Sequence, residues 1–103
     1  MTVASSPFTV LHTGDESLWT SDLRWLAESR LRYVLKECTH TIESAVVQLW
    51  PEENKSTMVV VILHINNGPV ITSSVTNHNV MAALCVACDR VRSEIDDISM
   101  LSA

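Results

Sequence analysis

The stretch that decides the fold is TMVVVILHINNGPVITSSVT, residues 57–76. Its first part, Thr57–Ile65, is a long run rich in β-branched residues, which favours a strand. Asn66-Asn67-Gly68-Pro69 then supplies turn residues of the kind found in hairpins, and Val70–Thr76 returns as a second β-rich run. The stretch therefore predicts an antiparallel hairpin.

On the N-terminal side of this hairpin, the pattern predicts a strand, a helix and a further strand. Ser44–Trp50 is β-rich and closes in the polar turn Pro51-Glu52-Glu53-Asn54-Lys55. Apolar residues at spacings of three and four predict a helix over Ser21–Glu37, with Thr20 as its N-cap. Upstream of this helix, we expect a short strand over Phe8–His12 and a turn at Thr13-Gly14-Asp15. Residues 1–6 are expected to be frayed.

On the C-terminal side, Asn77-His78-Asn79 offers caps for a helix over Val80–Ile98. The element order is then β-α-β-β-β-α. A crossover helix makes the first strand parallel to a neighbour, and both helices need the same sheet face for their apolar stripes. We expect one α+β domain over residues 1–103, a two-layer sandwich with a four-stranded mixed sheet and two helices on one face.

Composition restricts the function classes. Hydrophobic residues make up 47% of the chain and charged residues 18%, which is typical of a globular domain. Seven Lys+Arg against twelve Asp+Glu give a net charge of −5, opposite in sign to most nucleic-acid binders. The apolar runs are shorter than the roughly 20 residues of a membrane span, and MTVASSPF lacks a signal core. We expect a cytoplasmic protein with reduced thiols and no membrane partner.

No enzyme motif stands out. Cys85-Val86-Ala87-Cys88 lies inside the predicted second helix, whereas a redox pair gains its reactivity at a helix N-terminus. Zinc would need two further ligands, so packed apolar cysteines are the simpler interpretation. The four histidines are scattered, and the two glycines are too far apart for a phosphate loop. We expect no catalysis, metal, cofactor or small-molecule substrate.

Nearly all basic residues lie on the two predicted helices, and two aromatic residues of the first helix fall outside its apolar stripe. Cations beside aromatic rings can track phosphates and stack on unpaired bases. The candidate RNA-binding residues are Arg24, Arg30, Arg32, Lys36, Arg90, Arg92, Trp25 and Tyr33. The alternative is an ordinary solvated face, because Asp22, Glu28 and Glu37 nearly cancel the charge of the first helix.

The chain also carries more apolar surface than a two-layer fold needs. Thr57–Ile65 is apolar on both faces, although one side of the sheet is predicted to be open. Val80–Cys88 is apolar all round its helix. Either the surface is unusually apolar, or a partner covers it, most simply a second copy in a homodimer. The interface candidates are Val46, Trp50, Met58, Val60, Ile62, Met81 and Cys85.

Three segments, taken in order, resemble a known family. The first is His12-Thr13-Gly14 before Thr20, followed by Leu23-Arg24, Leu26 and Arg30-Leu31. The second is Ile65-Asn66-Asn67-Gly68-Pro69-Val70-Ile71, and the third is Met81-Ala82-Ala83-Leu84 with Asp89-Arg90-Val91. Together they resemble the short form of the ribosome hibernation-promoting factor and ribosome-associated translation-inhibitor family. The resemblance implies a fold similar to a double-stranded-RNA-binding domain.

The resemblance also implies binding to the small ribosomal subunit, in the channel used by messenger and transfer RNA. The first hypothesis is therefore a hibernation or translation-inhibition factor that contacts ribosomal RNA through the helix arginines. The second is a diverged, acidic, homodimeric protein-interaction module of the same fold that does not bind RNA. The net acidic composition and the acidic end of the second helix, Glu94-Ile95-Asp96-Asp97, favour the second hypothesis. The order of the three matching segments along nearly the whole chain favours the first, and the first is the one we adopt.

Overall fold

The computed structural model describes residues 8–38 and 40–101, with side chains to residue 98. The predicted frayed segment, residues 1–6, lies outside this range. The elements follow the predicted order: β1 (Thr9–Gly14), α1 (Ser21–Leu35), β2 (Ile42–Pro51), β3 (Thr57–Ile65), β4 (Val70–Asn77) and α2 (Val80–Leu101). Short 3₁₀ turns at Glu16–Leu18 and Glu53–Lys55 complete the connections.

The four strands form one mixed sheet in the order β1-β2-β3-β4. β1 pairs with β2 in parallel across the α1 crossover, and the other two pairings are antiparallel. The hairpin of residues 57–76 closes as predicted, with the Gly68 N–H donating to the Ile65 carbonyl at 3.0 Å. The predicted α+β class and mixed four-stranded sheet are confirmed.

The strand and helix ends differ by a few residues from the sequence-based prediction. Thr13 and Gly14 extend β1 instead of forming a turn, because they pair with Gln48 and Leu49 of β2. α1 begins at Ser21, where the Thr20 hydroxyl accepts from the Leu23 N–H at 3.1 Å. It ends at Leu35, two residues before the predicted end, while α2 continues three residues past Ile98.

Both helices pack on one side of the sheet and bury a single core. On the inner side of the strands, Val47, Leu49, Val59, Val61 and Leu63 are fully buried. α1 contributes Leu23, Ala27, Leu31 and Leu35 to this core, and α2 contributes Ala83, Leu84, Ala87, Cys88, Val91 and Ile95. Apolar spacing along each helix therefore selected the face that meets the sheet.

The alternate residues of each strand point to the other side of the sheet, and no described element packs over them. We call this surface the open sheet face. The strand registers arrange it in four rows: Thr9, Ser44, His64 and Val70; Leu11, Val46, Ile62 and Thr72; Thr13, Gln48, Val60 and Ser74; and Trp50, Met58 and Thr76.

Candidate functional site

A solvent-open groove of about 410 Å³ runs between the C-terminal end of α1 and the middle of α2. Its lining residues are Tyr33, Val34, Lys36, Glu37, Asp89 and Arg92. Lys36 directly follows the last residue of α1, where the helix dipole favours a cation. We call this feature the helix groove.

The aromatic side chain of the helix groove is Tyr33, which is 63% exposed. The Arg30 guanidinium lies 5.5 Å from the Tyr33 ring centroid, and the Lys36 Nζ lies 5.6 Å from it. Positions three residues before and after a helical residue are its neighbours on the helix surface. An exposed ring beside two cations can stack on an unpaired base while the cations meet its phosphate.

An ion pair between Arg30 and Asp89 joins the two helices beside the groove. The Arg30 Nη2 donates to both Asp89 carboxylate oxygens, at 2.9 and 3.0 Å. These hydrogen bonds raise the pKa of Arg30 above its ordinary value. The arginine is thus held in place, but its charge is offset by a carboxylate from the other helix.

Arg92 closes the groove from the α2 side. Its Nη1 donates to the Val34 carbonyl at 2.8 Å, which satisfies one of the carbonyls left unpaired at the end of α1. Its Nε bonds the Asp96 carboxylate one turn further along α2, at 3.0 Å. Arg92 therefore supports the helix packing as well as lining the groove.

The other basic candidates lie away from the helix groove. Arg24 pairs with Glu16 at 2.6 Å and lies over the Trp19 ring, near the start of α1. Arg32 is 3.7 Å from Glu28 and lies over Phe8, on the β1 side of α1.

The remaining two candidates are also separate. Trp25 is 70% exposed. Arg90 reaches toward β4, where its Nη1 lies 3.4 Å from the Ser74 carbonyl. The groove therefore brings together Arg30, Tyr33, Lys36 and Arg92, half of the predicted RNA-binding set.

Carboxylates offset most of the basic candidates. Arg24, Arg30, Arg32 and Arg92 each have a carboxylate oxygen within 4.0 Å. Lys36 and Arg90 have no such partner within the described residues. Glu28 is a neutralising residue that the helical spacing predicts, whereas Asp89 is not predictable in this way because 59 positions separate it from Arg30.

A second polar cluster lies between β1 and α1. The His12 Nε2 is 3.8 Å from a Glu28 carboxylate oxygen, and the ring meets Trp19 edge-on at 4.8 Å. Burial lowers the pKa of His12 below its ordinary value, outweighing the attraction of Glu28. Such a histidine is neutral near pH 7 and acts as a packing residue.

The two cysteines of the second helix have different surroundings. Cys88 is fully buried, and burial raises the pKa of its thiol to about 12. Cys85 is partly exposed. Among the described side chains, no group of three or more His, Cys, Asp or Glu residues is placed to hold a metal ion.

The predicted interface residues fall on two separate surfaces. Val46, Trp50, Met58, Val60 and Ile62 share the open sheet face. Met81, which is 52% exposed, and Cys85 instead lie on α2. A single flat partner therefore cannot cover all seven residues.

Solved structures that share this architecture include the following two. A ribosomal subunit interface protein from Coxiella burnetii matches with a TM-score of 0.80, covering 90% of this chain and 99% of its own, at 13% identity. The chain has the fold of a ribosomal subunit interface protein. The N-terminal domain of Thermus thermophilus Protein Y matches with a TM-score of 0.70 and 16% identity, covering 88% of this chain and 96% of its own.

At these identities the likeness establishes the fold alone. No protein-family profile matches the sequence, and no curated protein matches it either. None of the described helices is long and apolar enough to cross a membrane.

Proposed function

We propose that this protein associates with ribosomes in the cytoplasm and holds them inactive by contacting RNA of the small subunit. The observation that carries the proposal is the match to a ribosomal subunit interface protein, which spans 90% of this chain and 99% of the other. The family resemblance of the sequence motifs points to the same role. The face of the domain formed by α1 and α2 would contact the RNA.

Within that face, the helix groove has the chemistry for single-stranded or looped RNA. Tyr33 offers an exposed ring for base stacking, which contributes about 1–3 kcal/mol per base in known complexes. Lys36, free of a carboxylate partner in the described part of the chain, is available for a phosphate. Arg30 and Arg92 border the same space.

The paired arginines can also contribute, because their ion pairs are exposed to water. The arginine side chains in the four pairs are 31–48% exposed. Pairs of this kind contribute about 0–1 kcal/mol, so a phosphate can replace the carboxylate. Each displaced carboxylate stays near the RNA, however, and repels its phosphates. Binding that depends on phosphate contacts should also weaken as the salt concentration increases.

Sedimentation of ribosomes through a sucrose cushion tests the proposal. We expect the wild-type protein to pellet with ribosomes at low and at near-physiological salt. A Tyr33→Ala, Lys36→Glu double variant should be lost from the pellet, because it removes the ring and reverses the unpaired cation. Lys55→Glu is the matched control, since it makes the same charge change in the turn between β2 and β3.

Three results would contradict the proposal. The wild-type protein could stay in the supernatant at both salts. It could pellet only at low salt, which is the behaviour of non-specific electrostatic attraction. Lys55→Glu could also reduce pelleting as much as the groove variant, so that net charge and not the groove decides retention.

The second candidate is an acidic protein-interaction module without RNA binding. The carboxylate pairing of four arginines, together with the net charge of −5, specifically favours it. Under this candidate, charge reversal of Arg24, Arg30 and Arg90 leaves partner binding unchanged. Under the ribosome proposal, the same triple variant loses ribosome association while circular dichroism shows an intact fold.

A further inference from the structure

The open sheet face has an unusual composition for an exposed surface. None of its residues is Asp, Glu, Lys or Arg, although charged residues make up 18% of the chain. Seven of its positions are instead apolar: Leu11, Val46, Trp50, Met58, Val60, Ile62 and Val70. The acidic residues responsible for the net charge lie on the helices, the turns and the strand ends.

The apolar positions form a continuous patch. Leu11, Val46 and Ile62 are direct cross-strand neighbours in one row, and Trp50 and Met58 are neighbours in another. Side chains opposite each other on adjacent strands are about 5 Å apart, so little water separates them. Leu11 remains 49% exposed and Trp50 39% exposed. Monomeric proteins rarely expose patches of this kind beyond a few hundred Å².

We infer that the open sheet face binds the open sheet face of a second copy, forming a two-fold symmetric dimer of four layers. This proposal is independent of the ribosome proposal, because the helix groove is on the opposite side and stays exposed in the dimer. The two sheets would stack about 10 Å apart with strands crossing at about 30°.

Electrostatics selects a second copy as the occupant. Two chains of charge −5 repel each other through most of their surfaces, but they can meet through a face without formal charges. A nucleic acid would find no cation on this face for its phosphates. A charged protein partner would lose hydration there without gaining an ion pair. An identical face brings neither phosphates that need a cation nor charged side chains that would lose their hydration.

The dimensions of the sheet are sufficient for a weak dimer. Four strands at about 4.8 Å spacing and four rows at about 6.8 Å give a face of roughly 500 Å². Two such faces bury roughly 1,000 Å² together, which is the lower limit for a specific interface. We therefore expect a reversible dimer that forms in the micromolar range.

Sedimentation velocity over a concentration series tests the inference. The wild-type protein should change from a monomer of 11.4 kDa to twice that mass as its concentration increases from low to several hundred micromolar. Ile62→Lys places a charge at the centre of the face and should weaken dimerisation more than about tenfold, because like charges would face each other.

Val86→Lys is the matched control, since it replaces another β-branched residue, 40% exposed on α2, with the same cation. It should dimerise like the wild type. Ile62→Thr keeps the β-branched side chain that strands favour, so it tests the face even if the lysine variant folds poorly. It should also weaken the dimer, by a smaller factor.

Amide shifts in a dilution series locate the interface independently. The expected shifts are confined to β1–β4 and absent from the outer surfaces of α1 and α2. A monomer at every concentration would overturn the inference, and so would binding of a different partner to this face by a chain that stays monomeric. A dimer that is insensitive to both Ile62 variants, or lost in Val86→Lys, would overturn it equally.

Discussion

Replacing Gly14 with alanine should be one of the most damaging single-methyl changes in this protein. Gly14 ends β1 with φ at +90°, in the region that side-chain-bearing residues avoid. An added Cβ would overlap the Leu49 carbonyl oxygen and would lie 2.7 Å from the Leu49 nitrogen. Both are backbone atoms of a fully buried residue in a central strand, so neither can move without disturbing the β1 and β2 pairing.

The expected cost has two parts. The backbone conformation by itself costs about 1–2 kcal/mol for a residue with a Cβ. Relieving the overlap separates the strand ends, where the Asp15 N–H donates to the Leu49 carbonyl at 2.8 Å. Losing one or two such hydrogen bonds costs about 1 kcal/mol each. We expect a total near 3 kcal/mol, which for a chain of this size lowers Tm by about 12–24 °C.

Urea and thermal unfolding followed by circular dichroism measure this loss. Gly68→Ala is the matched control, because its Cβ would approach a side-chain methyl of Ile65 at 2.8 Å and not the backbone. Ile65 is buried at the end of β3, but its side chain can rotate slightly where the Leu49 backbone cannot, so that variant should lose less stability, about 1 kcal/mol. If Gly14→Ala proves to be as stable as Gly68→Ala or more stable, the close approach of β1 and β2 at Gly14 does not constrain the fold.

Three further predictions concern titration, thiol reactivity and ion pairing. Because burial lowers the pKa of His12, the unfolded chain binds more protons than the folded protein below about pH 6.5. The free energy of unfolding, measured by urea titration, should therefore decrease from pH 7 to pH 5.5. This pH dependence should become weaker in His12→Gln and persist in His78→Gln. Iodoacetamide at pH 8, followed by mass spectrometry, should label Cys88 at least about a hundredfold more slowly than Cys85, and comparable rates would contradict its burial. Asp89→Asn should lower the unfolding free energy by about 1 kcal/mol or less, because the pair is partly exposed, and should increase ribosome retention by freeing its arginine partner; reduced retention would contradict the proposed groove.

Most of the secondary structure could be predicted from local patterns in the sequence. The β-branched run Thr57–Ile65 and the hairpin signal after it have the predicted bounds, because strand propensity and turn chemistry act over a few residues. α1 follows its apolar period from Ser21, and the Thr20 cap forms as expected. Thr13 and Gly14 depart from their turn propensity, since pairing with a distant strand supplies their backbone hydrogen bonds.

Local sequence patterns predicted only part of the candidate site. Tyr33 and Lys36 are three residues apart on one helix, so their proximity follows from helical geometry alone. The partner of Arg30 does not, because Asp89 comes from the other helix. The charge available to RNA therefore depends on helix packing, which a single sequence does not specify.

The amino-acid sequence by itself determined the order of the elements, the apolar face of each helix and the alternation within each strand, since these follow from local periodicity. It also showed that Thr57–Ile65 is apolar on both faces. Only the tertiary structure decided that Val59, Val61 and Leu63 meet the helices while Val60 and Ile62 remain on the open sheet face. The reason is physical: both faces are apolar enough to be buried, and the side that is covered depends on where the crossover helix and the final helix pack.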